Sequence, residues 1–154
     1  MQLFLVQHGE SKSEQEDPER SLTEAGAAAA RRMADWAARA GVNVAEIRHS
    51  GKKRAAQTAA ILAERLGPRA GVWAVQGLNP LDDPAPLAAQ IRSRDESLML
   101  VGHLPNLGRL AGLLLADDPE RQVVRVEYAG IVCLVRTDGA WSLSWAMLPR
   151  LLGS

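Results

Sequence analysis

The chain has 154 residues, with 18 basic and 18 acidic side chains and a net charge of zero. That length fits one domain, read as 1–154, and a chain of this size buries enough surface to fold without disulfides. The balanced charge offers no long-range field to nucleic acid or an anionic membrane, and no apolar run has the length of a bilayer span. Cys133 is the single cysteine. It lies in the apolar run Ile131 to Val135, so a buried, inert thiol is expected. Because no signal-peptide pattern opens the sequence, the expected compartment is the cytoplasm.

Residues 2–7 form a continuous apolar run, which predicts a short buried strand. The polar stretch 10–20 reads as a loop. Ser21-Leu22-Thr23-Glu24 then offers a capping box to a first helix, with Met33, Trp36, Ala37 and Ala40 on its apolar stripe and Gly41 as its stop. Val44 to Ile47 predicts a second strand. A helix over 52–66 follows, with Ala55, Ala59, Leu62 and Leu66 on one face and Gly67-Pro68 as the break. Val72 to Val75 reads as a third strand, and the turn-rich segment 78–84 leads into a helix near 85–93. A fourth strand covers 97–102, and Pro105 suits the first turn of a helix reaching about Leu115. In the tail, 123–127, 130–136 and 141–147 predict strands, the last two joined by a turn at Thr137-Asp138-Gly139. Tryptophans 36, 73, 141 and 145 read as core or edge packing.

Alternating strand and helix predicts an α/β fold: a three-layer α/β/α sandwich whose mostly parallel sheet ends in an antiparallel C-terminal edge hairpin. Ligands of such sheets bind at the carboxyl ends of the strands. His8, Ser50 and His103 each follow a predicted strand, and Arg54 sits in the first turn of a helix, where free amides favour an anion. A neutral imidazole attacks phosphorus without a separate base, a guanidinium grips two phosphate oxygens, and a second imidazole stabilises charge in the transition state. Gly9 beside His8 allows close backbone approach. The histidines lack metal-ligand spacing, so no metal and no cofactor are expected. A Ser-His-Asp hydrolase is disfavoured because no Gly-x-Ser-x-Gly elbow exists. His49 reads as a neighbour of the site.

The segments Leu5 to Glu10, Leu22 to Gly26, Ser50 to Ala59 and Val101 to Pro105 resemble, in order, the motifs of the histidine phosphatase (phosphoglycerate-mutase-like) superfamily. The likeness is to its short SixA-type phosphohistidine phosphatase branch. The resemblance implies that His8 is the phosphorylated nucleophile, Arg54 a phosphate clamp and His103 the second pocket histidine, in a metal-independent reaction. It implies a phosphohistidine-bearing protein, or a phosphorylated small molecule, as the partner.

Two departures matter. The family usually has arginine before the nucleophile, and this chain has Gln7. A charged hydrogen bond to phosphate is worth about 1.5–3 kcal/mol, or roughly ten- to a hundredfold in rate. Arg20 is read as a substitute, and Gln7, Gly9, Arg20 and Ser50 as substrate-binding residues. The general acid of larger relatives also has no clear counterpart, since Asp82 and Asp83 suit a helix cap as well as an acid. Missing acid assistance matters less for a labile P–N bond than for an ester. No long insertion forms a lid. Phosphohistidine phosphatase is the leading reading. A small-molecule phosphomonoesterase and a catalytically weak binder of phosphorylated partners are the alternatives.

Overall fold

The apolar runs do what their lengths require: Leu3 to Val6 and Leu98 to Val101 are buried on both sides and form the middle of one sheet. The computed structural model describes residues 1–153. Its strands are β1 (Gln2–Gln7), β2 (Glu46–His49), β3 (Val72–Ala74), β4 (Leu98–Gly102), β5 (Ile131–Thr137) and β6 (Ala140–Met147), in the order β3-β2-β4-β1-β5-β6. The first four in that order run parallel, and β5 and β6 add an antiparallel edge hairpin. Four α-helices, α1 (Glu24–Arg39), α2 (Lys53–Leu66), α3 (Ala85–Arg92) and α4 (Asn106–Ala116), complete three layers.

Strand alternation sorts the core into two halves. Leu3, Leu5, Leu98 and Leu100 meet Leu87 and Ile91 of α3 and Leu107 and Leu110 of α4. Phe4, Val6, Met99 and Val101 meet Met33 and Ala37 of α1 and Ala55, Ala59 and Leu62 of α2. Cys133 is buried in this second half, and burial raises its thiol to about 11. No helix among the described residues is long and apolar enough to cross a membrane.

Four expectations need correction. Residues 123–127 form no strand, because both neighbours of β1 are already β4 and β5; Val126 is instead buried and Val124 packs against the core. The second strand begins at Glu46 rather than Val44, since pairing with β4 starts at Glu46 opposite Leu98. The cap of α1 is Thr23, whose hydroxyl accepts from the Gly26 amide at 2.9 Å, while Ser21 turns its hydroxyl to Asp17. The buried stripe of α1 is Gly26, Ala30, Met33, Ala34 and Ala37; Trp36 is half-buried against Trp145, and Ala40 is an exposed C-cap. Trp73, read as core or edge packing, lies exposed on the edge strand β3.

α1 packs close to the chain that leaves β1. A Cβ on Gly26 would overlap the backbone of Glu10, and one on Gly9 would come within 2.9 Å of the Gly26 carbonyl oxygen. These two glycines set the distance between α1 and the β1 end. Gly26→Ala is expected to destabilise the fold by about 1–3 kcal/mol through overpacking. Chemical denaturation measures this, and an unchanged midpoint would show that the helix yields without strain.

Candidate active site

The sheet register builds the site. Gln7 pairs with Gly102, the His8 amide donates to the Gly102 carbonyl at 3.0 Å, and the next residue on each strand end is a histidine. His8 and His103 continue the alternation that points Val6 and Val101 toward α1 and α2. Their ring centroids lie 4.9 Å apart, and both side chains are buried.

β2 ends beside them, and Gly51, at φ +91°, turns the chain sharply into α2. That turn puts Arg54 in the first helical turn, its Nε donating to His8 Nε2 at 3.4 Å. The other ring nitrogen of His8, Nδ1, donates to the Gly9 carbonyl at 2.6 Å. The tautomer is therefore set, and the Nε2 lone pair points toward the guanidinium. Ser50 and His103 share a hydrogen bond, Oγ to Nε2, of 2.7 Å. His103 Nδ1 is buried with no partner among the described residues.

Electrostatics follow from burial among cations. His8 is lowered to about 4, chiefly by burial and further by the charges of Arg54 and Arg20. His103 is lowered to about 3 by burial, by His8 and by Arg54. Arg54 is itself half-buried, and burial and the Arg20 charge push it below its ordinary value. Among the described residues neither Arg20, Lys52 nor Arg54 forms an ion pair, whereas Lys53 pairs with Glu19 at 2.8 Å. Arg20, Gly51, Lys52, Lys53 and Arg54 line an open basin of about 650 Å³. Neutral nitrogens beside unpaired cations favour a multivalent oxyanion. Among the described residues no three His, Cys, Asp or Glu side chains cluster as metal ligands.

The residues expected at the site do not all meet. His8, His103, Arg54 and Ser50 converge. Arg20 lines the basin, with its guanidinium donating to the Lys12 carbonyl at 3.3 Å and to Ser11 Oγ at 3.4 Å. Gln7 lies in an adjoining groove with Glu10, Gly26 and Tyr128. Gly9 faces inward, its amide donating to Thr58 Oγ1 at 3.0 Å. His49 braces the turn by accepting from the Gly51 amide at 3.1 Å. Asp82 and Asp83 each accept from a backbone amide, of Asn79 and Ala85 respectively, at 3.0 Å.

Two participants escaped the sequence reading. Thr58 is buried on the core face of α2, and its hydroxyl donates to the Arg54 carbonyl at 2.8 Å while receiving Gly9. The signal was a hydroxyl within an otherwise apolar helix face. Tyr128 stands with its ring centroid 5.5 Å from that of His8.

No curated protein matches the chain. The tungstate complex of the protein histidine phosphatase SixA is similar over 99% of both chains, with 25% identity and a TM-score of 0.87. A chain from Agrobacterium tumefaciens described as a phosphohistidine phosphatase SixA gives 21% identity and a TM-score of 0.75 over 96% of this chain and 97% of that one. A mycobacterial glucosyl-3-phosphoglycerate phosphatase in complex with VO3 gives 20% identity and a TM-score of 0.72 over 94% and 98%. Residues 3–79, half of the chain, match the sequence model of the histidine phosphatase superfamily (branch 1). They contain His8, Ser50 and Arg54, and the chain belongs to that superfamily.

Proposed function

We propose that the protein is a metal-independent phosphatase that removes phosphate from a phosphohistidine borne by a partner protein in the cytoplasm. The observation that carries this reading is the free Nε2 of His8 facing an unpaired guanidinium, with His103 beside it. His8 Nε2 attacks phosphorus, and the P–N bond to the substrate imidazole breaks as that ring takes a proton. Water then attacks the phosphorus of phospho-His8, releasing inorganic phosphate and restoring the neutral ring. Arg54 and the amides opening α2 hold the equatorial oxygens. Once bound, the anion favours protonation of His103, which then donates to a phosphoryl oxygen.

The carboxylates near the site support phosphohistidine over esters. Glu10 accepts from the Thr23 hydroxyl at 2.8 Å, Glu127 pairs with Arg125 and Arg150 at 3.4 and 3.5 Å, and Asp82 and Asp83 hold backbone amides. An alkoxide leaving group without a general acid loses about 10²–10⁴ in rate, whereas an imidazole leaves readily once protonated. The runner-up is a small-molecule phosphomonoesterase, a reading supported by the likeness to the glucosyl-3-phosphoglycerate phosphatase. Purified protein is expected to discharge a phosphohistidine protein faster than any member of a sugar, nucleotide and aryl phosphate panel. His8→Ala is expected to abolish that discharge, and turnover retained by this variant would remove the nucleophile. Gln7→Arg should raise the rate about tenfold or more if the missing cation limits it. A protein that binds tungstate tightly yet forms no phosphoenzyme, even as Gln7→Arg, would be a binder instead.

Arg20 carries the role of the missing cation in this reading, because its charge acts on His8, Arg54 and His103 together. Arg20→Ala is expected to weaken tungstate binding about tenfold, the value of one charged hydrogen bond. Titration calorimetry measures it, and unchanged affinity would remove Arg20 from the site.

The histidines set a pH dependence. Both values in the folded protein, about 4 and about 3, lie below the ordinary 6.5, so the unfolded chain binds more protons in that window. Stability contributed by the neutral rings is complete above about pH 6.5 and is lost as the pH falls toward 4. The ring NMR signals of His8 and His103 are expected not to titrate between about pH 8 and pH 5. Titration of either ring near its ordinary value would contradict a buried neutral pair.

A further inference from the structure

We propose that Tyr128 is the leaving-group platform of this site, stacking against a planar leaving group and so selecting ring-bearing phosphates over alkyl ones. The inference rests on the phosphatase reading and goes beyond it by naming the residue that reads the far side of the phosphorus.

Tyr128 is the single tyrosine of the chain and is 49% exposed, although its ring centroid lies only 5.5 Å from that of buried His8. The planes are tilted by 47°, so the two rings adjoin without stacking face to face. Half-exposure of a large aromatic ring beside a buried imidazole leaves aromatic surface open next to the site, available for stacking.

The ring is held there by its backbone. Tyr128 forms an isolated bridge with Gln7, the Ala129 amide donates to the Gln7 carbonyl at 2.9 Å, and the Gly130 amide donates to Glu127 at 2.9 Å. Ala129 adopts φ +60° although it has a Cβ, and it is buried. Such a conformation is strained for a residue with a Cβ and persists only where its surroundings enforce it, which functional sites commonly do. A Cβ on Gly130 would meet Leu148 at 3.0 Å and the Glu127 carbonyl at 3.2 Å, so the turn is packed tightly against the start of the last segment.

In-line displacement puts the leaving atom on the side of phosphorus opposite His8 Nε2, away from the buried histidine and toward solvent. A half-exposed ring adjoining His8 is within reach of that exit. It also lies near Arg54, so ring, clamp and nucleophile share one mouth. Beyond Tyr128 and Gln7 an open groove of about 660 Å³ runs over Ala25 and Gly26, leaving room for whatever carries the ring. An imidazole or phenyl group fits a π-face, whereas a glycerol or sugar carbon presents no plane to stack.

The test compares kcat/KM for phosphoimidazole and phenyl phosphate with that for glycerol 2-phosphate in the wild type, Tyr128→Leu and Tyr128→Phe. The ratio of ring to alkyl activity is expected to fall about three- to tenfold in Tyr128→Leu and to hold within about twofold in Tyr128→Phe. An unchanged ratio in Tyr128→Leu would overturn the platform. If the wild type hydrolyses none of the three, the phosphatase reading fails on its own account. Tyr128 is then judged by affinity for phenylphosphonate relative to methylphosphonate. A fall in that preference in Tyr128→Leu supports stacking, and an equal preference overturns it.

Discussion

The pairing of β1 with β4, Gln7 opposite Gly102, governs everything chemical about this chain. Each strand carries a histidine one residue past its end, and strand alternation sends both rings toward the α1 and α2 layer. A slip of one residue would turn one histidine to the α3 and α4 face and separate the pair. The register is secured by burial on both faces, since Leu3 to Val6 and Leu98 to Val101 are almost wholly inaccessible to solvent. The geometry of the site is here a consequence of core packing. The third element, Arg54, depends on the same packing, because Ala55, Ala59 and Leu62 dock α2 onto the face where the histidines emerge.

The site is built against the ordinary preferences of its groups. Two imidazoles are buried, one with an unpartnered nitrogen, and two guanidiniums near them have no carboxylate partner among the described residues. Each arrangement is unfavourable alone, since buried polar atoms and neighbouring like charges both raise the free energy of the folded state. In the proposed reading a bound tetrahedral oxyanion relieves them together. The positioning is done by neutral contacts: the Gly9 carbonyl on His8, Ser50 on His103, and Thr58 between Gly9 and the Arg54 carbonyl. None of these partners competes electrostatically with phosphate for the cations.

Local signals made most of this legible in the sequence. Apolar runs that end at His8 and His103, a helix opening at Arg54 and the Asp138-Gly139 hairpin depend on periodicity and turn chemistry within a few residues. What depends on partners far along the chain was not legible. Residues 123–127 have strand-like composition, yet β1 already has a neighbour on each side, and no local pattern reports that. The misreading hid Tyr128, whose position follows from the turn that replaces the strand. Thr58 was hidden differently: on the face of Ala55 and Ala59 its hydroxyl reads as core, and only the approach of Gly9 reveals its use. The capping role passed from Ser21 to Thr23 because Asp17 engages Ser21 first.

Gln7 ties these features to substrate choice. In the proposed reading a carboxamide in place of a cation beside His8 weakens the hold on a transferring phosphoryl group, and Arg20 restores part of the charge from the loop before α1. Such a pocket suits a substrate whose bond to phosphorus is already labile. In the same reading Asp82 and Asp83 serve backbone amides rather than the substrate, and a site without a general acid selects in the same direction. A P–N bond needs less charge stabilisation and less proton donation than a P–O ester, so both losses fall lightly on phosphohistidine and heavily on sugar phosphates. The proposed Tyr128 platform adds the remaining element, since it would hold the departing ring where protonation from solvent completes its release.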